Sequence, residues 1–306
     1  MPLHIDTPLF ESRPLGTAFG RTVWLKMDAL QPSGSFKLRG IGAACEHHAA
    51  LGKRRFVSSS GGNAGIAVAY AGRRLSIPVS VFVPETTTET AKTLIRDQDA
   101  EVVVHGASWQ EANERALSDI DRDAAFIHPF DDPLLWTGHA TMIDEVARLG
   151  ISFDCVIVAV GGGGLMSGVA EGLDRNGLAH VPIVAVETEG AASLAGSMAA
   201  GHRIELSRIT TVATSLGARK VCERAFELTR SRSVISVVVD DQTAVDASLR
   251  LLDDHRVLVE PACGAVLATL YGAHEALAPY RSVLAIVCGG ATVSVEWLQA
   301  WRPDPM

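Results

Sequence analysis

Short apolar runs and longer amphipathic stretches alternate along almost the whole chain. The short runs, rich in Val, Ile and Leu, predict strands over residues 22–27, 56–59, 79–83, 101–104, 155–160, 183–187, 234–239 and 283–287. Between them, apolar positions at helical spacing predict helices over 36–51, 63–75, 88–97, 109–121, 136–149, 165–176, 243–254 and 261–277. Strand–helix alternation of this kind builds a mostly parallel sheet, or two, covered by helices, so the expected class is α/β. Two polar, turn-rich stretches, 28–34 and 130–136, are where the chain would cross between domains. No internal repeat, low-complexity tract or long linker interrupts the pattern.

Composition agrees. The 306 residues are 47% apolar, 20% charged and only 6% aromatic, which suits buried strands of small aliphatic side chains and leaves room for one large or two modest domains. A formal net charge of -8 argues against nucleic acid as a partner. Cys45, Cys155, Cys222, Cys263 and Cys288 form no C-x-x-C pair, which points to reduced core thiols and away from a disulfide scaffold or structural zinc. No signal peptide is evident at the N-terminus, and no apolar stretch reaches the ~18 residues that span a bilayer. The expected location is cytoplasmic.

Four places can carry chemistry. Gly161, Gly162, Gly163 and Gly164 follow an apolar strand and lead into a helix at Leu165. Bare amides at a helix start bind anions, phosphate above all, although a tight strand-to-helix turn would use the same residues. The spacing is neither G-x-G-x-x-G nor a P-loop. The string SSSGGNAG at 58–65 sits at a second strand-to-helix junction, where small residues let a carboxylate reach successive amides. Asn63 within it either contacts a ligand or caps the helix. Lys37 lies in the first turn of a helix, either as a surface lysine on an amphipathic helix or as a cation that opposes the helix dipole, whose neutral, nucleophilic form is favoured there. Cys288 ends an apolar strand ahead of Gly289 and Gly290, either as a core thiol or as a contact at the strand end where α/β proteins collect ligands. The scattered histidines suggest no zinc, Glu260 reads as a cap or contact of the helix that follows, and Trp297 and Trp301 read as packing in a terminal helix.

In this order these stretches resemble the fold-type II pyridoxal-phosphate enzymes, and closely the serine dehydratases. TPL at 7–9, LKMDALQPSGSFKLRGIG at 25–42, SSGGNAG at 59–65, PFDDPLLWTGHA at 129–140, GGGGL at 161–165, VETEGAAS at 186–193, EPACGA at 260–265 and VCGG at 287–290 carry the likeness. The resemblance implies two domains, each an open, mostly parallel sheet flanked by helices: a large cofactor-binding one of residues 1–30 plus 134–306 and a small substrate-side one of 31–133. It implies pyridoxal 5'-phosphate held as a Schiff base on Lys37, with Phe36 on the ring face and the phosphate on Gly161, Gly162, Gly163, Gly164 and Leu165. Asn63 would meet the phenolic oxygen and Cys288 the ring nitrogen. Ser60, Gly61, Asn63 and Ala64 would hold the substrate carboxylate. Glu187, Ala191, Ser193, Leu216 and Ala218 match a monovalent-cation site for potassium or sodium.

The activity implied is dehydration and deamination of L-serine to pyruvate and ammonia, with L-threonine giving 2-oxobutyrate and Lys37 as the base. A threonine dehydratase, a serine racemase or a non-catalytic cofactor-binding protein of the same fold are the alternatives. Cys288 favours the serine dehydratase, since the other enzymes often carry Ser there. A homodimer is implied as well. One departure is Gly61, where some serine dehydratases carry Ala; its missing methyl is expected to loosen the pocket.

Overall fold

Two sheets share the chain in the structure, a computed structural model that describes residues 1–301. The first half runs β1 (Leu9–Glu11), α1 (Arg13–Phe19), β2 (Thr22–Lys26), α2 (Lys37–Ala50), β3 (Arg55–Ser58), α3 (Asn63–Leu75), β4 (Val79–Val83), α4 (Glu89–Arg96), β5 (Glu101–Val104), α5 (Trp109–Ser118) and β6 (Ala124–Phe126). The second half runs α6 (Pro133–Arg148), β7 (Cys155–Ala159), α7 (Gly164–Arg175), β8 (Ile183–Thr188), α8 (Ser193–Ala200), α9 (Glu223–Ser231), β9 (Val234–Val239), α10 (Asp241–His255), α11 (Pro261–Tyr271), β10 (Ser282–Ile286) and α12 (Val295–Ala300). One sheet has the order β1-β2-β10-β7-β8-β9 and the other β5-β4-β3-β6. Every pairing is parallel except that of β1 with β2.

The central strands are apolar because helices cover both their faces. CVIVA of β7, IVAVET of β8 and VSVFV of β4 are buried at every position, whereas β5 and β9 at the sheet edges are partly exposed. Each expected strand is present to within one residue at either end. The sequence pattern misses β1 and β6, three residues each and too short to show a period, and the helices α1, α8 and α9. The helix expected over 261–277 stops at Tyr271, where Gly272 and a left-handed Ala273 break it before a separate 3-10 turn over Glu275–Leu277. The helix expected from 136 starts three residues earlier, because Asp132 accepts the Leu134 amide as N-cap and Pro133 follows it.

The helices α2 and α6 meet almost backbone to backbone. A side chain at Gly40 would lie 2.4 Å from the Leu135 carbonyl, and one at Gly138 would lie 2.5 Å from the Arg39 carbonyl. Beneath this crossing lies a wholly buried ionic group. The Arg39 guanidinium donates from Nε to Asp28 Oδ2 at 2.6 Å and from Nη2 to Glu145 Oε2 at 2.8 Å, and Lys26 pairs with Glu145. Thr7 Oγ1 donates to Asp28 Oδ1 at 2.7 Å. The polar stretch 28–34 therefore begins with a core aspartate.

Candidate active site

Backbone pairing brings the end of β10 to the start of α2. Ser35 bridges antiparallel to Gly289, the Phe36 amide donates to the Cys288 carbonyl at 2.9 Å, and the Gly290 amide donates to the Gly34 carbonyl at 3.0 Å. Gly289 has φ +116°, and a side chain there would strike the Gly34 carbonyl at 2.4 Å, so only glycine allows the approach. Lys37 is the first residue of α2. Its Nζ donates to the Pro129 carbonyl at 2.6 Å and lies 5.2 Å from the centre of the Phe36 ring. The amine is brought down from its ordinary 10.5 to about 8. Burial is the cause, where the sequence pointed to the helix dipole. Phe36 also rests on the buried His139, ring centres 4.8 Å apart, and burial holds that imidazole well below its usual pKa.

The segment that holds Lys37 also packs on the glycine turn. Side chains at Gly162 and Gly164 would run into Phe130, at 2.3 Å from its ring and 2.6 Å from its carbonyl. His128 Nδ1 accepts the amides of Phe130 and Asp131, and Trp136 Nε1 donates to the Phe130 carbonyl, so this segment is fixed from both sides. A side chain at Gly161 would meet Leu216 Cα at 3.0 Å. The glycines are thus required by packing as well as by a tight turn. The packing leaves their amides free: those of Gly161, Gly162, Gly163, Gly164 and Leu165 find no acceptor among the described residues. Five N–H groups at the start of the twelve-residue α7 form an anion cradle.

Asn63 does not cap α3. Gly62 holds that position without a side-chain bond, and Asn63 follows as the first helical residue. Its Nδ2 donates to Glu260 Oε2 at 2.9 Å and to Ser215 Oγ at 3.3 Å, while its Oδ1 accepts the Ala291 amide at 3.2 Å. In the preceding turn the amides of Ser60, Gly61, Asn63 and Ala64 have no acceptor among the described residues. A side chain at Gly65 would lie 1.9 Å from the Ser60 carbonyl, which explains the glycine there. The space beside Gly61 is not loose: a methyl would meet Thr87 Cγ2 at 2.6 Å and Oγ1 at 2.8 Å. Thr87 fills the volume that the missing methyl was expected to open.

These contacts close a ring from Lys37 through Pro129 and Phe130 to Gly162, from Gly161 to Ser215, on through Glu260 to Asn63, and back through Ala291 to Cys288 and Phe36. Lys37, Asn63, Cys288 and the glycine turn are therefore neighbours. A hydrogen bond with Cys263, and then burial, hold the Cys288 thiol well above its ordinary pKa, so it stays neutral. Glu187 and Ser193 meet at the start of α8, where Glu187 accepts the amides of Leu194 and Ala195 at 2.8 and 2.7 Å. Burial pushes the Glu187 carboxyl up to about 7, and the buried Ser193 Oγ has no partner among the described residues. Leu216 and Ala218 share a turn closed by the Ala218 amide on the Leu216 carbonyl at 2.7 Å. Sequence reasoning missed Glu260, Ser215, Thr87 and His128 as parts of this site. Only the buried setting of Glu260 in EPACGA could have marked one of them.

Residues 1–289 match the family of pyridoxal-phosphate dependent enzymes, and the chain belongs to that family. It is 46% identical to the human protein named serine dehydratase-like, over 98% of this chain and 94% of the relative. It is 42% identical to the human L-serine dehydratase/L-threonine deaminase, over 98% and 95%. Among solved structures, a fungal L-serine ammonia-lyase from Rhizomucor miehei superposes with a TM-score of 0.94 at 33% identity, over the full length of both chains. The fold class expected from the sequence is borne out, down to parallel sheets flanked by helices.

Proposed function

We propose that the protein eliminates water from L-serine to give pyruvate and ammonia, and acts on L-threonine as a second substrate to give 2-oxobutyrate. The observation that carries this reading is Lys37, an amine brought toward neutrality by burial and tethered beside a turn of unpartnered amides. The relatives' names and the family support it. The residues present also fit the cofactor: an amine for its aldehyde, a cradle of N–H donors for its phosphate and an amide for its phenolic oxygen.

Bound pyridoxal phosphate supplies an electron sink that acidifies the Cα hydrogen of the amino acid. The chain does the rest. The amides of Gly161, Gly162, Gly163, Gly164 and Leu165 would hold the phosphate, Phe36 would pack on the ring, and Asn63 would donate to the phenolic oxygen. The amides of Ser60, Gly61, Asn63 and Ala64 hold the substrate carboxylate. Lys37 Nζ, held by the Pro129 carbonyl, takes the Cα proton when in its neutral form, which burial makes more accessible. Cys288, a neutral thiol, would face the ring nitrogen and would supply no fixed anion to keep that nitrogen protonated, a setting that suits loss of a β-hydroxyl. One water leaves in the elimination and one returns when the released enamine hydrolyses, which balances serine against pyruvate and ammonia. On this reading residues 31–133 form the substrate-side domain.

A monovalent cation, potassium or sodium, fits beside Glu187, whose buried carboxylate meets only backbone donors, and the unpartnered Ser193 Oγ. Carbonyls of Ala191, Leu216 and Ala218 would complete the set. Equal rates in potassium and in a bulky organic cation would remove that site. We further propose a cytoplasmic homodimer; the five buried free thiols support a reducing compartment and the family resemblance supports the dimer.

The test is a panel of L-serine, L-threonine, D-serine and O-acetylserine with product identification. Pyruvate from L-serine is expected, and Lys37→Ala should lose both the visible cofactor band and at least about a thousandfold of the rate. Bound cofactor with neither pyruvate nor 2-oxobutyrate formed would overturn the proposal, and D-serine as the main product from L-serine would make the protein a racemase.

A further inference from the structure

Glu260 occupies the N-cap position of α11, yet its side chain caps nothing. Its carboxylate, 4% exposed, reaches away from the helix and collects four donors. Oε2 accepts Asn63 Nδ2 at 2.9 Å and the Ser215 hydroxyl; Oε1 accepts Thr292 Oγ1 at 2.6 Å and the Thr292 amide at 3.1 Å. Four donors saturate the four lone-pair directions of a carboxylate. All four donors are neutral. A buried carboxylate is costly to keep, and packing of α11 alone does not require one there.

The three partners come from separate parts of the chain. Asn63 opens α3 beside the four-stranded sheet, Ser215 lies in the 3-10 turn Thr214–Leu216 that touches Gly161, and Thr292 follows β10. Glu260 therefore draws together the segments that meet around Lys37. It also decides which way Asn63 faces. An amide can turn over and exchange its oxygen for its nitrogen, and only its partners settle the choice. Here an acceptor-only group holds Nδ2 while the Ala291 amide holds Oδ1. The second Nδ2 hydrogen goes to Ser215 Oγ over 3.3 Å, the longer and weaker of the two Nδ2 bonds. This hydrogen is the one a ligand oxygen would take over.

We propose that Glu260 is a positioning residue for the cofactor, which fixes the donor face of Asn63 toward the cofactor's phenolic oxygen and does not touch the reacting atoms itself. The proposal rests on the reading above that Asn63 meets that oxygen. Glu260→Gln tests the orientation directly, since an amide in place of the carboxylate can donate to Asn63 and allow it to turn its carbonyl to the cofactor.

The measurements are cofactor affinity and the pH midpoint of the cofactor's visible absorbance in the holoenzyme, in wild type, Glu260→Gln, Asn63→Ala and the double variant. Expected for Glu260→Gln is about a tenfold loss of affinity, the scale of one hydrogen bond to a charged group. Its midpoint should shift in the same direction as that of Asn63→Ala, and the double variant should be no worse than Asn63→Ala alone. Thr292→Val, which removes one arm of the array, should shift the midpoint the same way by less, and decides the matter if Glu260→Gln does not fold. Wild-type affinity and midpoint in the Glu260 and Thr292 variants, with Asn63→Ala shifted, would overturn the role of Glu260 and leave the proposed elimination intact. An unshifted Asn63→Ala that still yields pyruvate would remove the Asn63 contact and this proposal with it, while the elimination stood.

Discussion

Two buried polar groups of this molecule are built on opposite rules. Under the crossing of α2 and α6, Arg39 and Lys26 face Asp28 and Glu145, cation against anion, with each charge bonded to another. Around the cleft, among the described residues, Glu260 is held by neutral donors alone, the amides of residues 161–165 have no acceptor, and Lys37 Nζ rests on a carbonyl. The first group is closed upon itself and can only hold structure. The second is complete on its protein side and open on the other, as a site that waits for an anion and a carbonyl compound must be. Buried polarity by itself marks neither; unmet capacity marks the site.

The largest expected effect breaks the closed group. Arg39→Met leaves Asp28 and Glu145 without their main partner, and loss of one member of a buried ion pair costs about 3–5 kcal/mol. Urea unfolding of the cofactor-free protein measures it. Ser215→Ala in the open group removes one of four donors to a carboxylate and should cost about 2 kcal/mol on the same assay, within the range of one hydrogen bond to a charged group. Equal costs would erase the distinction between the two groups.

Next is Gly162→Ala. Its methyl would stand 2.3 Å from the Phe130 ring, and overpacking of this kind costs about 1–3 kcal/mol. Because Phe130 follows the carbonyl that holds Lys37, the displacement should reach both the anion cradle and the amine. Cofactor affinity, measured by absorbance titration, should fall about tenfold or more, in line with that cost. Unchanged affinity would mean that the cradle tolerates movement and that the amides do not hold the phosphate.

A smaller effect concerns the charge of Lys37. Burial lowers its pKa to about 8 in the folded, cofactor-free protein. Below that value the amine is protonated and cannot attack an aldehyde, so the rate of cofactor loading should rise roughly tenfold per pH unit and level off above about 8. The same shift has a stability sign. The unfolded chain, with its lysine near 10.5, binds the extra proton more readily than the fold does. Lys37 therefore lowers stability fully below about 8 and ceases to do so above 10.5. Lys37→Met should stabilise the cofactor-free protein at neutral pH, with the gain fading toward alkaline pH. A loading rate that does not change with pH between 6 and 8 would show that the amine is not the group being titrated.

The closed and open groups were unequally legible in the sequence. Strands such as β4 and β8 announce themselves because burial on both faces demands unbroken apolar runs. The glycine turn and Lys37 stand out because each violates a local preference, four glycines in a row and a cation at a helix start. Arg39 and Asp28 look like surface residues, since nothing in spacing shows that two charges eleven positions apart meet in a core. Ser215 was invisible for the same reason, and Glu260 showed only as a cap or contact of its helix: their partner Asn63 lies 152 and 197 residues away. Long-range pairing is a property of the fold, not of any stretch of sequence.

The smallest effect concerns Gly61, and there the sequence points the wrong way. A missing methyl suggests empty space that Ala would fill to advantage. The structure puts Thr87 in that space, with both Cγ2 and Oγ1 closer to the added carbon than real contacts allow. Thr87 sits half-buried in the loop after β4, and its side chain can give way. Gly61→Ala should therefore lower kcat/KM for L-serine by only about fivefold, near 1 kcal/mol, the low end of overpacking. The double change Gly61→Ala with Thr87→Ser, which withdraws the methyl but keeps the hydroxyl, should recover most of it. If Gly61→Ala alone speeds the reaction, the pocket is loose as the sequence suggests and Thr87 does not bound it. If the double change fails to recover what the single one lost, the cost arises in the turn of free amides and not in the contact with Thr87.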